Sequence, residues 1–99
     1  MAAYLIADID VIDAEAFAEY RRRVPETEER YGGRYLGRGG ETHVLDGEWQ
    51  PNRLVIIEFP DMERLLSWYS SPEYAPLIEL RHRCARSKIV ALEGVPTPG

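Results

Sequence analysis

The chain has 99 residues, 12 of them basic and 17 acidic for a net charge of −5, with 44% apolar and 29% charged residues. That length makes one domain, which buries roughly 65% of its unfolded surface. An acidic balance argues against a phosphate-backbone partner, and the longest apolar run falls far short of the ~20 residues that span a bilayer, so neither nucleic acid nor membrane is an expected partner.

No basic stretch followed by an apolar one opens the sequence, and the one cysteine, Cys84, has no internal partner for a disulfide. A reducing cytoplasmic setting is the simplest expectation. The first strand is expected over Ala3 to Val11. Leu5, Ala7, Ile9 and Val11 share one face, and Tyr4, Ile6, Asp8 and Asp10 the other. Apolar side chains on both faces predict a central strand. Asp13 is a good N-cap for a helix carrying Phe17, Tyr20 and Val24 at core spacing. Pro25 removes the hydrogen bond to the Arg21 carbonyl, so the helix kinks there or restarts, with Glu26 and Glu28 then near its positive end. Gly32-Gly33 supplies the stop.

The second strand region, Arg34 to Leu45, is broken by Gly37, Gly39 and Gly40, which mark a bulge or the close approach of another group. Asp46-Gly47 starts a turn extending to Asn52. Arg53 to Phe59 is the third strand, with Leu54, Ile56 and Glu58 on one face and Val55, Ile57 and Phe59 on the other. Both faces are apolar enough to need cover. Asp61 caps a helix whose core stripe is Met62, Leu65, Leu66 and Tyr69, with Trp68 at its edge. The stretch to Arg86 would make one helix of about 39 Å, too long for these strands, so a break at Ser70 to Pro72 is expected. The next helix starts at Pro72 or at Pro76; spacing alone leaves both open. It places Arg81 among Tyr74, Leu77, Ile78, Cys84 and Ala85. Lys88 to Glu93 is the fourth strand.

The order β-α-β-β-α(α)-β predicts an α+β fold: a four-stranded antiparallel sheet in spatial order 4-1-3-2 with helices on one face, the ferredoxin-like arrangement. One domain is expected over residues 1–95, with a loose tail over 96–99. The uncovered apolar face predicts a homodimer.

Tyr31-Gly32-Gly33-Arg34, Arg38-Gly39-Gly40, Asp46-Gly47 with Trp49, Arg53 leading into Ile57-Glu58-Phe59-Pro60, Trp68 through Tyr74, Leu80-Arg81 and Glu93-Gly94 resemble the family known as domain of unknown function 1330, of the dimeric α/β-barrel superfamily. The resemblance runs from Ala3 to Gly94. It implies a ferredoxin-like fold and a dimer whose sheets close into a barrel. The superfamily includes small monooxygenases, haem-handling proteins and isomerases, so the resemblance selects no reaction.

No diagnostic catalytic motif is present. An arginine on a core stripe needs a carboxylate, and Asp8 or Asp10 is the nearer candidate for Arg81, with Glu58 toward the opposite end. A structural ion pair is one reading. The other is that Arg81 and Arg38 hold a small carboxylate ligand between sheet and helices, with Trp68 and Tyr74 lining the pocket. His43, on the glycine-broken strand beside Glu41, is the natural proton carrier. Asp8, Glu58 and His43 are thus the acid–base candidates for a cofactor-free oxygenase or isomerase, while a dimerisation module without chemistry is the third reading. His82 and Cys84 point to different sides of a helix and no tetrahedral ligand set appears, so no metal is expected. The glycines fit no phosphate loop, and no cofactor is expected either.

Overall fold

The computed structural model describes residues 1–96, so the tail expected over 96–99 lies, apart from Pro96, outside the described residues. The elements are β1 (Ala3–Val11), α1 (Ala14–Glu29), β2 (Arg34–Arg38), β3 (Leu54–Phe59), α2 (Met62–Tyr69), α3 (Ala75–Cys84) and β4 (Ala85–Glu93). The strands form one antiparallel sheet in the order β2-β3-β1-β4, the ferredoxin-like arrangement expected from the element order. The helices cover one face. On that face Ala3, Leu5, Ala7 and Ile9 of β1 and Val55, Ile57 and Phe59 of β3 are buried. They pack against Phe17, Tyr20 and Val24 of α1, Leu65 and Trp68 of α2, and Tyr74, Leu77 and Cys84 around α3. The opposite face, bearing Tyr4, Ile6, Leu54, Ile56, Val90 and Leu92, is open.

Each helix begins as its sequence dictates. Asp13 accepts from the Ala16 amide at 3.1 Å and Asp61 from the Arg64 amide at 2.8 Å. Pro25 neither breaks nor restarts α1, which runs through it to Glu29. Gly32, at φ +80°, then ends the turn. The open choice before α3 resolves as a turn over Pro72–Tyr74: the Ser71 hydroxyl accepts from the Tyr74 amide at 3.2 Å, and the helix starts at Ala75 with Pro76 in its first turn.

Four details differ from expectation. The face of α2 is rotated: Trp68, expected at the edge, is 1% exposed, and Leu66, expected inside, is 54% exposed. β2 ends at Arg38 rather than Leu45, because Gly39 turns into the left-handed region at φ +70°. β3 begins one residue late, at Leu54. β4 starts at Ala85 instead of Lys88. There the Cys84 carbonyl accepts from the Ile12 and Asp13 amides at 2.8 and 3.0 Å, which pulls the chain against β1 and seats Ala85 opposite Val11.

A methyl group at Gly33 would sit 2.8 Å from the buried Phe59 ring, whereas one at Gly37 meets nothing within 4 Å. Gly33→Ala is therefore expected to cost ~1–3 kcal/mol, as overpacking does, and Gly37→Ala to stay within about 0.5 kcal/mol of wild type; urea unfolding of the two variants checks the difference.

Candidate functional site

A narrow, partly open cavity lies between the helix-covered face of the sheet and α1, with a volume of about 30 Å³. That is space for about two waters. Its body is apolar, built from Leu5, Ala7, Ile9, Val55 and Ile57 of the sheet with Phe17 and Val24 of α1. Its polar groups sort into two sets. Arg21, Arg38 and Arg53 are cationic, and Tyr20, Tyr35 and Tyr74 carry phenols.

The arginines are held in place by two local irregularities of the chain. Pro25 has no amide hydrogen, so the Arg21 carbonyl loses its helical donor. Arg38 replaces it, donating from Nη2 to that carbonyl at 2.6 Å while its guanidinium lies 4.3 Å from the Tyr35 ring centre. Gly39, in its left-handed conformation, leaves room for Arg53, whose guanidinium a Cβ there would strike. The Arg53 guanidinium lies 5.5 Å from the Phe17 ring centre, and its Nε is buried without a partner. Among the described residues no carboxylate lies within ion-pairing distance of Arg21, Arg38 or Arg53. Desolvation, then the charges of Arg21 and Arg38, lower the Arg53 pKa.

Behind the phenols sits Arg81, 2% exposed. Its expected carboxylate partner is absent. Nη1 donates to the Tyr74 hydroxyl at 2.7 Å and Nη2 to the Tyr69 hydroxyl at 3.2 Å, and Nε has no partner. Tyr74 is in turn 2.7 Å from the Tyr20 hydroxyl. Trp68 stacks on Tyr74 at 4.1 Å between ring centres and donates its indole N–H to Thr27 at 3.0 Å.

Of the candidates read from sequence, Arg38, Trp68 and Tyr74 line the cavity and Arg81 backs it. Asp8, Glu58 and His43 lie elsewhere. Asp8 faces the open side of the sheet and anchors the loop after β2, accepting from the Trp49 indole at 3.0 Å and the Asn52 amide at 2.9 Å. Desolvation acts to raise its pKa, but these donors hold it below the ordinary value. Glu58 is on the same open face, 2.8 Å from the Arg34 Nε. His43 is in the exposed loop, 3.4 Å from Glu41. Neither Asp8 nor Glu58 can reach Arg81, since both point away from the helices.

The family described as domain of unknown function (DUF1330) matches residues 2–95. The chain belongs to this family. No curated protein matches it in sequence. Among solved structures, a DUF1330-like fold recurs in a protein of unknown function from Rhodopseudomonas palustris (20% identity, TM-score 0.76, covering 97% of this chain and 84% of that one). A dimeric ferredoxin-like protein of unknown function from Jannaschia sp. is 13% identical with a TM-score of 0.69, covering 95% and 100%. The cofactor-independent oxygenase SnoaB from Streptomyces nogalater is 15% identical with a TM-score of 0.65, covering 97% and 95%. At these identities the likeness is one of fold. No helix among the described residues of this DUF1330 member is long and apolar enough to cross a membrane.

Sequence reasoning missed Arg21 and Arg53 as site residues, took Tyr20 only as core, and missed Glu28. Glu28 is 1% exposed, and its Oε2 is buried without a partner. Burial pushes its carboxyl up to about 8, against the influence of the Tyr35 phenol and the charge of Arg38, which act to lower it. Between the ordinary value of 4.5 and about 8 the folded chain keeps a proton that the unfolded chain releases. Stability attributable to Glu28 is thus greatest below that window and is lost as pH rises through it, at up to ~1.4 kcal/mol per pH unit. Glu28→Gln keeps a neutral side chain of the same shape. Chemical denaturation from about pH 5 to 8.5 should show the variant gaining on wild type steadily as pH rises.

Proposed function

We propose that this DUF1330 protein is a homodimer that binds a carboxylate no larger than acetate in the cavity between sheet and helices. The observation that carries the reading is the convergence of Arg21, Arg38 and Arg53 on one cavity with no carboxylate among the described residues paired to any of them. Like charges gathered in a partly desolvated place repel one another, and an arriving anion relieves that repulsion. Guanidinium groups suit the task, since each offers a planar fork of donors to a carboxylate. The apolar walls suit a methyl group, and the small volume excludes a longer chain or a ring.

The dimer rests on the open face. Ile6 and Ile56 are cross-strand partners at its centre, Val90 faces Ile6 from the other side, and Leu36, Val90 and Leu92 are all more than half exposed. The charges on this face are balanced, with Asp8 opposite Lys88, Asp10 opposite Arg86, and Arg34 on Glu58. A second copy meets this patch without stranding a charge. The dimeric protein from Jannaschia sp., which shares the fold, supports the same association. The oxygenase or isomerase reading asks for an acid or base in the cavity, and Asp8, Glu58 and His43 face elsewhere; nothing in the geometry favours it over binding.

In calorimetric titration acetate is expected to bind the wild type, and Arg53→Met to weaken that binding at least tenfold, roughly the worth of one charge-assisted hydrogen bond. The variant should melt no lower than wild type without ligand, because it removes a desolvated cation that repels two others. Equal binding by variant and wild type would sink the reading. For the dimer, sedimentation should find wild type as a dimer and Ile56→Glu, which buries an unpaired carboxylate at the centre of the patch, as a monomer.

A further inference from the structure

Arg81 also borders a second hollow. Where the end of α2 and the last turn of α3 meet β4, an open concavity of about 240 Å³ is lined by Tyr69, Arg81, His82, Ser87 and Ile89. Ser87 and Ile89 lie opposite Ile9 and Ala7 of β1, so they belong to the helix-covered face, at the edge strand where the cover is incomplete. Every polar side chain of this lining carries a donor. Arg81 has five N–H groups and accepts nothing, and Tyr69, Ser87 and a neutral His82 each have one donor hydrogen. No carboxylate is among the lining residues. Two of the donors are orphaned: Arg81 Nε and Ser87 Oγ are buried without a partner among the described residues. Each such group costs ~1–3 kcal/mol, and an ion or ligand that satisfies it is one of the few explanations for its survival. Arg81 is 2% exposed and its partners, Tyr74 and Tyr69, are neutral, so its charge is buried without a counter-charge. The carbonyls that end α3 do not compete for an arriving cation's place or repel an anion strongly, since Cys84 accepts from the Ile12 and Asp13 amides and Arg81 from the Ala85 amide.

We propose that this concavity binds a phosphoryl group, as free phosphate or as the phosphate of a small monoester, through Arg81, Ser87, Tyr69 and His82. The donor set selects the ligand. A carboxylate presents two oxygens in one plane and is matched by a single guanidinium fork, whereas a tetrahedral phosphate presents oxygens in several directions and suits a guanidinium joined by two hydroxyls and an imidazole from other elements. Arg81 supplies the charge from its buried position, and the half-buried Tyr69 and exposed His82 stand toward solvent. The volume, eight times the 30 Å³ of the first cavity, leaves room for an organic group beside the phosphate, with Ile89 as its apolar contact. Both orphaned atoms are covered in this structure, so binding includes a side-chain adjustment of the kind that interfaces commonly make. The site stands apart from the acetate reading: of its lining residues only Ile89 is shared with the first cavity.

Ser87→Ala tests the site without endangering the fold. It removes a hydroxyl that has no partner, so the variant should resist urea at least as well as wild type. In calorimetric titration the wild type is expected to bind inorganic phosphate or glycerol 3-phosphate, and Ser87→Ala to bind the better of the two about tenfold more weakly, the worth of one hydrogen bond to a charged group. Tighter binding of the monoester assigns the site to phosphorylated small molecules, and tighter binding of inorganic phosphate assigns it to the free ion; both support the proposal. A second measurement uses the wild type alone. In a nitrogen-15 spectrum the Arg81 Nε–H resonance should move progressively as phosphate is added, as an N–H does when it gains an anionic acceptor. No saturable binding of either probe, equal affinity in Ser87→Ala and wild type, or an unmoved Arg81 resonance each overturns the proposal. None of these results bears on acetate at the first cavity, which is read through Arg53.

Discussion

Side-chain alternation along β1 and β3 decides which charges in this protein can meet. The helices cover one face of the sheet, so every second residue of these strands faces them and the rest face away. Asp8, Asp10 and Glu58 all fall on the open face, where Lys88, Arg86 and Arg34 lie across from them on neighbouring strands. On the helix side the parity delivers Arg53 and, through the register with Val55, Arg38. The sheet therefore separates the two signs of charge. Its open face is neutralised pair by pair, and its covered face is left with arginines whose natural partners lie across the backbone plane.

Such a separation is unfavourable in isolation. A buried charge without a counter-charge costs far more than a surface one, and ordinary cores avoid it. Here phenols take the place of carboxylates around Arg81. They supply oxygen acceptors at 2.7 and 3.2 Å and an aromatic surround, and they leave the guanidinium charge in place. Glu28 tells the same story from the other side. It feels the charge of Arg38, but burial favours its neutral form, so it offers the arginine little compensation at neutral pH.

Much of this was legible in the sequence, and the misses have physical causes. The element order, the capping aspartates at Asp13 and Asp61, and the two-sided apolar strands predicted the sheet and its strand order. The alternation read along Ala3 to Val11 already put Asp8 opposite Leu5 and Ile9. The proposed Asp8–Arg81 pair ignored that parity, because the need for a carboxylate beside a core arginine outweighed it. Arg38, Trp68 and Tyr74 could be named because each sat beside a glycine break or on, or at the edge of, a core stripe. Arg21 could not, since an exposed position in a run of three arginines looks like a solvated helix face. Arg53 was read only as the start of a strand. The one-position rotation of α2 that buries Trp68 follows from its stacking on Tyr74 and its bond to Thr27, long-range contacts that helical spacing does not encode.

The two places where the chain breaks local rules were nevertheless visible, and they point to the same spot. A proline deep in α1 costs the helix a hydrogen bond, and a left-handed glycine at the end of β2 cuts the strand short. Either one alone reads as a defect tolerated by its surroundings. Together they converge: the carbonyl freed by Pro25 is the acceptor that orients Arg38, and the space left by Gly39 is filled by Arg53. Proteins break local rules chiefly at functional or strained sites, so irregularities that serve one another across the fold are what the proposed site leads one to expect. What they position is a pair of cations at a cavity lined by a third, Arg21, whose own carbonyl is the one Pro25 frees. A helix that kept its hydrogen bond, or a strand that ran on past Arg38, would be the more regular structure, and neither would bring these three guanidinium groups to one cavity.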